Sequence, residues 1–434
     1  MTELLIRGGW VVGEAATVRA DVHVRDGAIV SVGEDLDVPT GALVIDAEGC
    51  WVGPGFVDLH AHLREPGGEA AETVASGARA AAVGGFTAIV AMPNTEPAID
   101  SVDTASYVLS RGRHAVVDVA VAGAITVGRR GEHLAPMAEL AALGVRLFTD
   151  DGAVVQDAAV MRRALVYARP LGVRLAQHAE DASLAGPGHM NEGPVSSRLG
   201  LIGRPTLAED VIVARDLELV RVTGAPLHFL HLSSARALAL VEAARAEGLP
   251  ITAEVTPHHL TLHESACGTY DATFKVNPPL RGTRDVDAVR DALRRGVVDA
   301  VATDHAPHAP ETKDRSFDEA PSGVLGLEHA AALVNEVLGD DPVRFFAALS
   351  RQPARIAQLR GGDARAGLSA HGGSIVPGED ANLVVFDPAT TWVASREILQ
   401  SRARNTPYHG RQLRGRVRAT VVRGEVVVHE GELQ

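Results

Sequence analysis

An α/β chain forming a closed (β/α)₈ barrel, with a small β-sandwich built from both chain ends, is the fold this sequence predicts. Three observations carry the prediction. Eight short runs rich in Val, Ile, Leu and Phe punctuate residues 55–304, with stretches of helical character between most of them. Both ends of the chain read as short strands and turns. Several of the eight runs finish on histidine or aspartate.

From the N-terminus, "ELLIRGGWVV", "DVHVRDGAIVSVG" and "ALVIDAEG" alternate apolar and polar residues around "GGW" and "RDG", which are hairpin signals. The middle runs are "GFVDLH" (55–60), "FTAIVAM" (86–92), "AVVDVAVAG" (115–123), "VRLFT" (145–149), "VRLAQH" (173–178), "PLHFLH" (226–231), "PITAEV" (250–255) and "DAVATD" (299–304). Segments such as "DAAVMRRALVYARPLG" and "ARALALVEAARAEG" separate them. Strands alternating with helices imply parallel strands joined by right-handed crossovers, and eight is the count of a TIM-like barrel. An open doubly wound sheet is the competing architecture. It would carry G-x-G-x-x-G after its first strand, an order that "GGFTAIV" and "RGGWVV" lack. "ANLVVFDP" and "RATVVRGEVVVHEG" return to the texture of the N-terminus. The expected organisation is residues 1–54 and 365–434 as the two parts of the sandwich, with 55–364 as the barrel.

Composition narrows the function. Of 434 residues, 46% are hydrophobic and 22% charged, enough apolar material for a large core. A net charge of −14 argues against a nucleic-acid partner. Two cysteines, Cys50 and Cys267, make no disulfide framework and suit a reducing compartment. The first residues show no basic segment followed by a long apolar one, and no apolar stretch reaches the ~18 residues a membrane span needs. A cytoplasmic protein is expected.

The chemistry sits at the ends of the runs. His60 closes the first and His62 follows; Asp150 and Asp151 follow the fourth; His178, His231 and Asp304 close the fifth, sixth and eighth. A parallel barrel opens all these ends onto one face, where active sites are built. On an extended segment, residues i and i+2 point the same way, so His60 and His62 can grip one ion. Taken singly, each position has an ordinary explanation: a hydrogen-bonded histidine, an Asp-Asp-Gly turn, a helix cap. Together, imidazoles and carboxylates suit Zn²⁺ among first-row ions. Six donors exceed what one catalytic ion can take and fit two ions sharing a carboxylate. That arrangement serves metal-assisted hydrolysis. Spacing alone does not choose between Asp150 and Asp151 as the shared group.

The motifs "PGFVDLHAHLREPG", "AMPNTEP", "FTDDG", "QHAED", "MNEGPVSSRLG", "HLSS", "EVTPHHL", "KVNPPLR", "ATDHAPH", "GLE" and "NTPYHG" occur together and in order. Over nearly its whole length the chain resembles the bacterial class I dihydroorotases of the amidohydrolase superfamily. The resemblance implies that His60, His62 and Asp304 hold one zinc and His178 and His231 the other, with Asp151 and a hydroxide bridging them. Many amidohydrolases use a carbamylated lysine as the bridge. The two lysines here, Lys275 and Lys313, lie far from the fourth run in sequence. The implied reaction is the reversible cyclisation of N-carbamoyl-L-aspartate to (S)-dihydroorotate in pyrimidine (UMP) biosynthesis, with Asp304 as general acid and base. The implied substrate contacts are His62, Leu63, Arg64, Asn94, Asn277, His308, Ser322 and Gly323, Arg64 being suited to a carboxylate. Two zinc ions, two aspartates and one hydroxide sum to +1, so a dianion would be drawn to the site despite the acidic surface.

His308 lies in "DHAPHAPETK", a segment expected to act as a mobile cover. His258 and His259 are expected to be structural, and His305 and Glu180 to orient Asp304 and His178. Thr149, Gln352 and Ser322 stand where the family more often has serine, asparagine and a bulkier residue. The rival readings are another cyclic amidase (a hydantoinase or allantoinase) and a non-catalytic subunit of a carbamoyltransferase complex. A small-molecule substrate is expected, with no membrane or nucleic-acid partner. A homodimer or a carbamoyltransferase complex is compatible with the sequence.

Overall fold

The computed structural model describes residues 3–434. Five strands open the chain: β1 (Glu3–Val12), β2 (Thr17–Arg25), β3 (Ala28–Gly33), β4 (Leu43–Asp46) and β5 (Trp51–Pro54). The barrel strands are β6 (Phe56–Ala61), β7 (Phe86–Ala91), β8 (Asp118–Gly123), β9 (Leu147–Phe148), β10 (Arg174–Gln177), β13 (Leu227–Phe229), β14 (Ile251–Val255) and β15 (Ala300–Val301). Between β10 and β13 the chain inserts the short parallel pair β11 (Met190–Asn191) and β12 (Gly203–Arg204). The chain ends on β16 (Leu383–Val393), β17 (Gln412–Val422), β18 (Glu425–His429) and β19 (Glu432–Leu433).

All eight expected runs contain a barrel strand, and they pair in sequence order from β6 to β15. Every adjacent pair is parallel. A parallel bridge from Ala61 to His305 completes the ring beyond β15. The two chain ends share one nine-stranded sheet, joined where β5 runs antiparallel to β16. That sheet keeps its own apolar core, in which Leu4, Val22 and Ile45 meet Leu383, Val385 and Val421.

The apolar residues of the barrel sort by strand parity. Ala88, Val90 and Met92 gather with Val57, Leu59, Ala176 and Ala300 over Ile356 and Leu359, whereas Ile89 and Ala91 join the larger cluster shared with the helices. Burial on both faces explains why these strands read as near-continuous apolar runs. It also means that a charged residue within such a strand needs a partner. Glycine allows the closest approaches: a Cβ on Gly53 would stand 2.0 Å from the Phe346 ring, at the contact between sheet and barrel. No helix among the described residues is long and apolar enough to cross a membrane.

Candidate metal and substrate site

His60 lies near the end of β6 and His62 just beyond it, where its backbone N–H donates to the His305 carbonyl at 2.8 Å. The seam that closes the barrel is thus also the mount for two imidazoles. Asp150 and Asp151 follow β9 and separate cleanly. The Asp150 carboxylate accepts the Ile125 and Thr126 N–H groups, at 2.8 and 3.0 Å, and the Thr126 hydroxyl. Those bonds consume it within the loop after β8. Asp151 faces the imidazoles, its own N–H held by Thr149 Oγ1 at 3.1 Å. Threonine at 149 therefore supplies the hydroxyl that a serine would.

Asp151 Oδ2 lies 3.2 Å from His60 Nε2 and 3.5 Å from His62 Nε2. Its Oδ1 lies 3.4 Å from His231 Nε2 and 3.6 Å from His178 Nδ1. One carboxylate thus faces two histidine pairs, one with each oxygen. Asp304 Oδ1 approaches from the eighth strand, 3.0 Å from His62 Nε2 and 3.6 Å from His60 Nε2. The donor atoms of His60, His62 and Asp151 lie within 4.8 Å of one another, as do those of Asp151, His178 and His231. All six residues are buried.

These residues fit a metal. His60 Nε2 is buried with no hydrogen-bond partner, although carboxylates lie on two sides of it. His178 Nδ1 and His231 Nε2 stand 2.9 Å apart, two imidazole nitrogens aimed at each other. His60 Nδ1–H donates to Glu254 Oε1 at 3.0 Å, and His62 Nδ1–H to Asn94 Oδ1 at 2.8 Å. With Nδ1 protonated, a neutral ring presents the Nε2 lone pair, the tautomer a metal ligand requires.

Charge in the site agrees. Burial opposes a charge on Asp151, but His60, His178 and His231 outweigh it and hold its pKa well below the carboxylate range. Burial likewise works against a charge on His60, but Asp151 and Glu254 reverse the balance and raise its pKa well above the usual imidazole value, so a metal at Nε2 would take the place of the proton that those carboxylates otherwise hold there. Asp304 is lowered, again against burial, chiefly by His62. The carboxylates stay ionised and favour a cation between them. Among the described residues, four of the ten non-glycine residues at positive φ lie around this mouth: Arg64 (62°), Arg129 (56°), His231 (32°) and Asp304 (46°). Backbone strain concentrates at functional sites.

Of the expected substrate contacts, Asn94 and Asn277 touch donor histidines directly. Arg64 Nε donates to the Pro307 carbonyl at 3.1 Å, and burial lowers its pKa to about 10 against the pull of Asp304 and Asp151. Leu63 is buried. Asn277 turns Nδ2 toward His178 Nε2 at 3.4 Å and gives Oδ1 to Arg204. His308 Nε2–H donates to the Ser322 carbonyl at 2.8 Å, and burial lowers its pKa to about 3, so the ring stays neutral with Nδ1 as an acceptor. The Gly323 N–H is already given to the Lys275 carbonyl at 2.8 Å. What Gly323 supplies is room, since a Cβ there would meet His308 Nε2 at 2.8 Å.

Other positions refine the sequence reading. His305 does not touch the Asp304 side chain; its ring meets Glu72 Oε2 at 3.3 Å and accepts the Gly326 N–H. Glu180 Oε1 lies 4.0 Å from His178 Nε2 and the carboxylate is paired with Arg204 at 2.9 Å. His259 spans Thr256 and the Pro278 carbonyl, a structural role. The serines of "HLSS" fix the chain after His231: the Ser233 and Ser234 N–H groups donate to Glu209 Oε1, and Arg281 reaches Ser233 Oγ. Glu254 and Asp58 escaped the sequence reading. Glu254 holds His60 and His228, while Asp58 takes the Thr303 N–H and hydroxyl just before Asp304. Their signal was visible: a carboxylate inside an otherwise apolar parallel strand.

The dihydro-orotase-like family model matches residues 49–237. A dihydroorotase of Anaeromyxobacter dehalogenans is 46% identical over 99% of this chain and 98% of its own length. One from Mycobacterium tuberculosis is 44% identical over 99% of each. Among solved structures, a D-hydantoinase (dihydropyrimidinase) from Thermus sp. superposes with a TM-score of 0.82 at 27% identity, covering 99% of this chain and 96% of that one. An L-hydantoinase from Arthrobacter aurescens shares the fold, with a TM-score of 0.88 at 22% identity, over 100% and 98%. A barrel mouth with two histidine pairs about one carboxylate, in a chain so close to these relatives, belongs to the dihydroorotase family of amidohydrolases.

Proposed function

We infer that this chain is a metal-dependent dihydroorotase, interconverting N-carbamoyl-L-aspartate and dihydroorotate on the route to UMP. The observation that carries the reading is Asp151, presenting one oxygen to each histidine pair, with the half-buried Arg64 nearby. His60, His62 and Asp304 would hold one ion and His178 and His231 a second, with Asp151 between them. The donor set suits two Zn²⁺. A divalent pair supplies Lewis acidity toward a carbonyl and depresses the pKa of water.

The chain's own groups do the rest. Asp304 gives Oδ1 to the imidazoles and keeps Oδ2 for proton transfer. On ring opening it takes the proton released as water adds to the ring carbonyl and passes it to the leaving nitrogen. Cyclisation runs the same steps in reverse. Arg64 meets the α-carboxylate common to both substrates, with Asn94 beside it. Neutral His308 accepts an N–H of the substrate through Nδ1, and Asn277 closes the side near His178.

A hydantoinase-type reading is favoured by the fold neighbours alone. Both lysines are occupied away from the donors: Lys275 Nζ donates to the Asp318 carbonyl, and Lys313 Nζ to those of Ala272 and Pro321. No lysine is placed to bridge. Metal analysis with turnover of dihydroorotate, hydantoin and allantoin tests the reading. Two zinc equivalents per chain and preference for dihydroorotate are expected; preference for either neutral ring overturns it. A metal-free, inert protein would instead indicate a scaffolding subunit.

A further inference from the structure

Arg129, in the loop after β8, belongs to none of the motifs that carry the family resemblance. Its backbone takes φ 56°, a conformation uncommon for a residue with a side chain. One guanidinium N–H goes to the Asp151 carbonyl at 2.7 Å. Its Nε is buried without a hydrogen-bond partner. Arg204, elsewhere on the rim, is neutralised by Glu180 at 2.9 Å, whereas Arg129 forms no ion pair among the described residues.

Gly152 leaves space beside it. The position a Cβ would take there is 3.5 Å from Arg129 Nη1 and 3.3 Å from Asn94 Nδ2, so two hydrogen-bond donors flank a point next to the bridging carboxylate that carries no side chain. The charge of Arg129 also acts on Arg64. Asp304 and Asp151 act on Arg64 more strongly than Arg129 does, but both carboxylates would be engaged by metal, which leaves the two guanidiniums to an incoming anion. We propose that Arg129 is a specificity-determining residue that, with Arg64, reads the carboxylate of dihydroorotate, which neutral cyclic amides lack. The proposal rests on the dihydroorotase reading above.

The test compares metal-loaded wild type with R129Q and R129K. In R129Q the KM for dihydroorotate should rise about tenfold or more, the loss of about one charge-assisted contact, with kcat within about threefold. R129K should fall between, keeping the charge and losing the planar fork. Metal content should be unchanged, and so should the inhibition constant of dihydrouracil, the same ring without the carboxylate. An unmoved KM overturns the proposal. So does an equal loss for dihydroorotate and dihydrouracil, or a fall in kcat with lost metal, which would make Arg129 a prop for Asp151. R129K carries the comparison if R129Q does not fold. Wild type that fails to turn over dihydroorotate would defeat the dihydroorotase reading instead. Calorimetric binding of dihydroorotate and dihydrouracil to wild type and R129Q then judges Arg129 separately, identical ratios counting against it.

Discussion

The two histidine pairs are built differently. On the first side both outer nitrogens are anchored: His60 to Glu254 at 3.0 Å and His62 to Asn94 at 2.8 Å. Glu254 is itself fixed by His228 Nε2 at 3.0 Å. On the second side His231 Nδ1 is buried without a partner, and His178 Nε2 has only Asn277 at 3.4 Å and Glu180 at 4.0 Å. There the backbone does the positioning, through the Glu209, Ser233 and Arg281 network and the strained His231. The first pair is oriented through its rings and the second through its chain. Ring anchoring raises ligand basicity and fixes the tautomer; chain anchoring does neither.

Removing the group common to both sides should erase the difference. Asp151→Ala is expected to abolish stoichiometric metal binding on both sides and lower kcat by about a thousandfold or more, since one lost charge-stabilising group alone costs 10²–10³-fold. Emission spectrometry with a turnover assay checks it; retention of one full metal equivalent would show that the sides are independent. Glu254→Gln should act mainly on the first side, weakening metal affinity there roughly 10- to 100-fold, the usual effect of losing such an outer partner, because Glu254 meets the second side only through the His231 backbone N–H at 3.4 Å. Competition with a chelator reads that shift, and an unchanged affinity would remove the claimed asymmetry. In wild type, the same chelator titration should release metal in two steps, the His178/His231 side first. A single step would mean that the anchoring difference has no energetic consequence.

This asymmetry was only half legible in the sequence. The ligands announced themselves because each ends an apolar run, and a parallel barrel sends such ends to one face. Strand order was legible for the same reason. What periodicity cannot show is which atom of a side chain faces which. Asp150 and Asp151 are equivalent on paper and are told apart only by the loop after β8, which contributes Ile125 and Thr126. Likewise His305 follows Asp304 directly, yet its ring faces Glu72, a residue 233 positions away. Glu254 and Asp58 could have been read, since neither face of a parallel barrel strand offers water to a carboxylate. Arg129 could not, because loop conformation fixes its place.

The opposite rim of the barrel offers a control with no ligands. Asp118 starts β8 and is buried, accepting the Ser369 N–H at 2.7 Å and facing His371 Nε2 at 2.9 Å, with Arg423 alongside. Burial raises its pKa, but His371 and Ser369 outweigh burial and bring it down to about 2 from an ordinary 3.8. A carboxyl depressed on folding stabilises the native state above its unfolded pKa and loses that contribution as pH falls through the folded one. Asp118→Asn should therefore reduce unfolding free energy by about 1–3 kcal/mol near neutrality, the cost of breaking a charged, buried hydrogen-bond set. The deficit should shrink between about pH 4 and pH 2, as wild type takes up the proton. Metal content and kcat should stay at wild-type values, because residues at the N-terminal rim of such barrels serve stability and those at the C-terminal rim serve chemistry. Urea unfolding across that pH range, paired with metal analysis, checks both halves. A loss of metal in this variant would show that the two rims are coupled, and that the stiffness of the first histidine pair is set by the whole barrel rather than by Glu254 and Asn94.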